Sequence, residues 1–253
     1  MLPELQNKEI TVWFSCGAAS AIAAKITLDK YKHNNIVRVV NNPIKEEHMD
    51  NQRFLKDIEK WLNIKIETAI NSKFPDASCK TVWEKAKFMS GIHGAPCTLH
   101  LKKKARQQWE QKNKTDYIVL GFTAEEKKRA NRFKLTERKN LLPVLINNNL
   151  TKQDCFDILQ KEKIKLPEIY SLGFPNANCI GCVKATSPTY WNLVRKTFPE
   201  IFKDRAEQSR KIGTRLTRYK GERIYLDSLP INAKGRSLKN YNFECGIFCE
   251  EEN

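Results

Sequence analysis

The sequence predicts an α/β fold: a doubly wound, mostly parallel sheet followed by a small, basic, largely helical C-terminal extension. Two observations carry this. Short apolar runs alternate with amphipathic stretches of helical period through the first 180 or so residues. From residue 183 onward the chain turns polar, helical and basic, ending in an acidic tip. The expected division is therefore 1–182, an α/β domain, and 183–253, an extension with a cysteine-bearing tail.

The elements follow in order. Ile10 to Phe14 reads as a buried strand, and the Ala-rich 18–32 as a helix. Ile36 to Val40 is a second strand, stopped at Asn41-Asn42-Pro43. Acidic residues from Glu46 open a helix whose Phe54, Ile58, Trp61 and Leu62 share one face. Ile64 to Ile70 is a third strand, and a looser helical region runs through Trp83 and Phe88. The loop Gly91 to Pro96 delivers Cys97 to a basic helix reaching Trp109. Asp116 to Gly121 is a fourth strand, 141–146 a short strand-like run, and Thr151 caps a helix with Asp154 in its first turn.

Composition narrows the function. The chain has 45 basic and 29 acidic residues, a formal charge of +16, with concentrations at 102–106, 127–132 and 203–223. Such a surface calls for an anionic partner, either a nucleotide or nucleic acid. No stretch approaches the roughly 20 apolar residues of a membrane span, and the first residues lack the pattern of a signal peptide. The expected location is the cytoplasm, with no membrane partner. A reducing compartment argues against a disulfide framework for the eight cysteines. Cys155 and Cys79 read as buried small apolar residues, Cys79 having no evident partner.

Two features carry chemistry. The first strand ends in Ser15-Cys16-Gly17-Ala18-Ala19-Ser20 before a helix. Backbone N–H groups at such a helix start bind phosphate, and small side chains let it approach. The nucleotide-binding candidates are Ser15, Cys16, Gly17, Ala18 and Ser20, with Gly121 after the fourth strand. The second feature is Cys97, Cys179-Ile180-Gly181-Cys182, and a tail holding Cys245 and Cys249. A [4Fe–4S] core takes four thiolates, and zinc accepts the same set. Cys97, Cys179 and Cys182 supply three. Cys249 or Cys245 closes the site from the tail, or a fourth iron position stays open. With Cys249 as ligand, Cys245 is left as a nucleophile, since a thiolate near basic groups attacks sulfur well. Lys102, Arg129 and Arg132 are candidate anion ligands.

The Ser15–Ser20 loop resembles the SGGxDS loop of the PP-loop adenine-nucleotide α-hydrolase superfamily, with Cys16 for a glycine and Ala19 for the aspartate. That superfamily includes adenylylsulfate and phosphoadenylylsulfate (APS and PAPS) reductases and enzymes that thiolate tRNA or DNA. The segment Leu172 to Cys182 resembles the reductase stretch GYPSxGCxxC, and 81 residues lie between Cys97 and Cys179. Residues 140–144 and 152–154 resemble the family's "PL…W…DV" stretch. Gly121 to Glu126 resembles the GxRxxES loop, with Thr123 for the arginine. Glu244-Cys245-Gly246-Ile247-Phe248 is similar to the tail ECGLH, with Phe248 for the histidine. The resemblance implies an adenine-nucleotide α-hydrolase-like fold, an adenine nucleotide or sulfonucleotide ligand, a [4Fe–4S] cluster, Cys245 as catalytic thiol and a thioredoxin-type donor. The function it implies is that of a sulfonucleotide reductase. The alternatives are a sulfurtransferase acting on tRNA or DNA, or a nucleic-acid-binding relative with a structural cluster.

Overall fold

The computed structural model describes residues 2–91 and 94–238. In chain order it runs β1 (Glu9–Phe14), α1 (Ala18–Tyr31), β2 (Ile36–Asn41), α2 (Asp50–Leu62), β3 (Glu67–Thr68) and α3 (Cys79–Ala86). A π-helical stretch (Thr98–Lys104) leads into α4 (Ala105–Glu110), then β4 (Tyr117–Val119) and a 3₁₀ turn (Ala124–Glu126). There follow α5 (Lys127–Thr136), α6 (Val144–Asn147), α7 (Lys152–Lys161), α8 (Glu168–Ser171), α9 (Pro188–Thr197) and α10 (Pro199–Ile212). The antiparallel pair β5 (Thr217–Tyr219) and β6 (Glu222–Ile224) comes last before a 3₁₀ turn at Leu226–Ser228.

The described chain divides into two compact units. One comprises residues 1–43, 49–70 and 106–168; the other comprises 44–48, 71–105 and 169 onward. This differs from the boundary expected at 182. The cysteine-bearing segments 71–105 and 169–182 bury their apolar residues with α9 and α10, not with the sheet.

The first unit holds a four-stranded parallel sheet of order β3-β2-β1-β4. Period-two alternation sends Ile10, Val12 and Phe14 into one core with α1, α2 and α7, where Phe14 stacks on Phe54. Trp13 points the other way and meets Trp109 of α4 edge-to-face at 5.5 Å. Helices thus cover both faces, which a parallel sheet requires. Cys155 of α7 is fully buried, and burial pushes its thiol up to about 12.

Three elements differ from expectation. The helix expected from Glu46 begins at Asp50, and the Glu46 side chain accepts from the start of α3 instead. The third strand shrinks to Glu67–Thr68. The run 141–146 gives only a parallel bridge, Leu141 to Ile118, before α6, since Pro143 has no N–H with which to continue a ladder.

The second unit packs α9 and α10 around Tyr190, Trp191 and Phe202, with Trp83 of α3 in the same core. The Trp191 indole donates to the Ala185 carbonyl at 2.6 Å. No helix among the described residues is long and apolar enough to cross a membrane.

Candidate functional site

In the first unit, β1 has β2 on one side and β4 on the other, so the strand order reverses between β1 and β4. In open α/β sheets, ligands bind beyond the carboxyl ends of the strands at such a switch point. The loops that meet there are the two singled out from sequence. A Cβ on Gly121 would lie 2.8 Å from the Ser20 nitrogen and 3.0 Å from its Cα. Both are backbone atoms, so only glycine permits this approach.

Gly17 is extended at the start of α1, and no side chain caps the helix. No acidic residue sits in its first turn. The first N–H groups of a helix lack intrahelical acceptors, and the dipole adds positive potential. The Ser20 hydroxyl shapes the loop, accepting from the Ser15 N–H at 3.1 Å and donating to the Gly17 carbonyl at 2.8 Å. Ser15 is exposed, whereas Cys16 is buried with φ of +57°. Cys16 thus takes the left-handed conformation that favours glycine, the residue it replaces in the resembled loop. The Asn41 amide donates to the Phe14 carbonyl at 2.8 Å and to the Cys16 sulfur at 3.5 Å.

The basic candidates fare unequally. Arg129 pairs with Glu126 and lies over the Phe122 ring, so its charge is already met. Arg132 is half-buried on the same helix. Thr123, at the resembled arginine position, forms a capping box with Glu126. Lys102 belongs to the second unit. It is buried, and its ammonium is 3.9 Å from Glu47.

In the second unit, Cys97, Cys179 and Cys182 line one pocket together with a fourth thiol, Cys79. All four are buried. Ile44, Trp83, Val183, Lys102 and Lys184 complete the lining. The reading of Cys79 as partnerless is therefore corrected. It is the first residue of α3, after Ser78 at the cap. Cys245 and Cys249, expected as nucleophile and fourth ligand, lie outside the described residues.

Short-range chemistry fixes each thiol. The Glu46 carboxylate accepts from the Cys79 N–H at 2.8 Å, the Lys80 N–H at 3.1 Å and the Ser78 hydroxyl at 2.8 Å. Its own carbonyl accepts from the Ile180 N–H at 2.9 Å, so one residue ties α3 to the Cys179–Cys182 loop. Within that loop Gly181 has φ of +68°. The Tyr190 hydroxyl accepts from the Cys182 N–H at 2.9 Å and donates to the Cys179 carbonyl at 3.4 Å. Cys97 leads directly into the π-helical stretch, a form enriched at functional sites.

The thiols sense each other. Cys97 is lowered, chiefly by its hydrogen bond with Cys79, with the Lys184 charge and the Trp83 indole assisting and burial opposing. Cys79 is raised well above its ordinary value, chiefly by its hydrogen bonds with Cys179 and Cys97. Among the described residues no group of three or more His, Cys, Asp or Glu side chains is arranged to hold a metal ion as it stands. The donor set itself is four thiols in an apolar pocket edged by two lysines. It suits an iron–sulfur cluster, whose ligands are thiolates, and it also suits tetrathiolate zinc.

One sign could have found Cys79 in the sequence. It follows Ser78, a capping residue, which puts its backbone at a helix start.

No protein-family model and no curated protein matches the chain. Among solved structures, it is similar to a phosphoadenylyl-sulfate (PAPS) reductase from Candida auris, crystallised as a phosphate complex. The TM-score is 0.48 at 10% identity, covering 67% of this chain and 80% of that one. It is also similar to the U34-tRNA thiolase NcsA from Methanococcus maripaludis with its [4Fe-4S] cluster, with TM-score 0.48 at 12% identity, covering 83% of this chain and 72% of that one.

Proposed function

We propose that the chain is a nucleotide-dependent enzyme of the APS/PAPS-reductase type, with a tetrathiolate iron–sulfur centre in its second unit. The observation that carries this reading is Cys79. With Cys79, Cys97, Cys179 and Cys182 lining one pocket, the centre needs no ligand from the tail. Cys245 is then left for chemistry, and an open iron position is not required. The nucleotide phosphates rest on the first N–H groups of α1, where the Gly121 loop closes against Ser20. Lys102 and Lys184 place positive charge beside an anionic centre. When bound, the centre would supply a compact redox-capable group held by sulfur.

In this reading the Cys245 thiolate attacks the sulfonucleotide sulfur. A Cys245 S–S bond forms, the S–O bond to the nucleotide phosphate breaks, and the nucleotide leaves. A thioredoxin-type thiol then attacks the Cys245 sulfur, releasing sulfite and leaving a mixed disulfide. The test is sulfite release from APS or PAPS with thioredoxin under anaerobic conditions. Cys245→Ser should abolish turnover and leave the iron content unchanged. A protein with full iron that releases no sulfite from either substrate contradicts the proposal.

A second reading, sulfur transfer to tRNA or DNA, draws on the β5–β6 pair. Arg218 stands opposite Arg223 in the ladder, and Lys220 lies in the turn between the strands. Like charges placed opposite one another destabilise a ladder, and a phosphate backbone would relieve them. Tight binding of tRNA or DNA that weakens steeply with salt, with no sulfite release, would favour this reading.

A further inference from the structure

Arg205 of α10 is 2% exposed, and no carboxylate among the described residues pairs with it. Its Nη1 donates to the Gln208 side-chain oxygen at 2.7 Å, and its guanidinium lies 4.3 Å from the centre of the Trp83 ring. Its Nε has no hydrogen-bond partner. A buried charge without an opposite charge costs several kcal/mol. This one sits against the thiol loop, since a Cβ on Gly181, between Cys179 and Cys182, would be 3.5 Å from Nε. Trp83 itself lines the thiol pocket, and its buried indole N–H turns to the Cys97 sulfur, favouring the thiolate. A buried guanidinium with no carboxylate, and the indole stacked on it, therefore border the same four thiols.

We propose that Arg205, with Trp83 stacked on it, is the buried counter-charge of the thiolate centre: its positive charge is balanced when the four cysteines are ionised and metal-bound, and unbalanced when they are not. This rests on the reading of the four thiols as one metal centre. Arg205 is a positioning and charge-balancing residue, with no role in contacting substrate. The physical consequence is a sign difference. An arginine that merely packs stabilises the protein with and without metal. A counter-charge stabilises the loaded protein and burdens the metal-free one, as buried ions do when one partner is missing.

The experiment compares full-length wild type, Arg205→Met, Arg205→Lys and Trp83→Phe, each purified anaerobically and each also stripped with a chelator. Two quantities are read: the melting temperature of loaded and stripped protein, and the rate at which the chelator bleaches the thiolate-to-iron absorption. Arg205→Met should lose the centre at least about tenfold faster than wild type, the worth of one charge-assisted hydrogen bond. Its stripped form should melt at or above the stripped wild type. Arg205→Lys should recover most of the retention, and Trp83→Phe should bleach faster with a smaller change. Equal destabilisation of loaded and stripped Arg205→Met, or unchanged bleaching in both Arg205→Met and Trp83→Phe, overturns the counter-charge role. A wild type with neither the absorption band nor iron instead overturns the metal-centre reading beneath it.

Discussion

At Gly121 one hydrogen atom decides whether two loops can meet. Any Cβ there runs into the backbone of Ser20 and Ala19, which cannot swing aside as a side-chain tip would. Gly121→Ala should therefore displace the loop, cost about 1–3 kcal/mol and weaken adenine-nucleotide binding by at least about tenfold. Titration calorimetry of wild type and variant checks this, and unchanged affinity would remove Gly121 from the site. The small-residue loop and the Cys-x-x-Cys pair stand out in the sequence because each repeats a known pattern; the structure adds that Gly121 abuts the loop and that Cys179 and Cys182 share a pocket with Cys97. The signal was faint at Cys79, marked only by the Ser78 cap before it. That cysteine stands alone in the chain and joins Cys97 and Cys179 only through tertiary packing.

Helix ends, more than helix middles, hold the site together. α3 begins on a carboxylate from outside the helix, with Glu46 accepting from Ser78, Cys79 and Lys80. Glu46→Ala should cost about 1–3 kcal/mol in urea unfolding, with Glu46→Gln milder because it keeps an acceptor. A loss no larger than that of an exposed control would contradict the capping role. The sequence pattern suggested Glu46 as the start of a helix; a carboxylate near a helix start cannot announce which helix it will cap.

α2 shows the same logic with a pH readout. Asp50, its first residue, takes a two-pronged contact from Arg53 at 2.6 and 2.7 Å and a bond from the Glu168 N–H at 2.8 Å. Arg53 chiefly lowers its carboxyl from the ordinary 3.8 to about 2. A depressed carboxylate stabilises the fold above its unfolded pKa, and that stability drains away as pH falls toward its folded pKa. The contribution, about 2 kcal/mol, should be complete at pH 6 and mostly gone near pH 2. Asp50→Asn should lose about that much at pH 6 and flatten the acid limb. Parallel acid limbs for wild type and variant would contradict it.

On the scale of the whole molecule, strand–helix alternation predicted the parallel sheet, because period and turn chemistry are local. The division into units was not legible. It depends on which apolar segments share a core, and 71–105 and 169–182 share theirs with α9 and α10. The +16 charge remained neutral between a nucleotide and a polynucleotide, since both demand cations. What the fold adds is convergence: segments a hundred residues apart in the chain deliver four thiols to one pocket.

The most direct test of that convergence is iron and acid-labile sulfide analysis of anaerobically purified wild type and single Cys→Ser variants. About four irons and four sulfides per chain are expected, with the content collapsing in the Cys79, Cys97, Cys179 and Cys182 variants. The Cys155, Cys245 and Cys249 variants should keep it. A Cys79→Ser protein with full iron, beside a Cys249→Ser protein without it, would contradict the account.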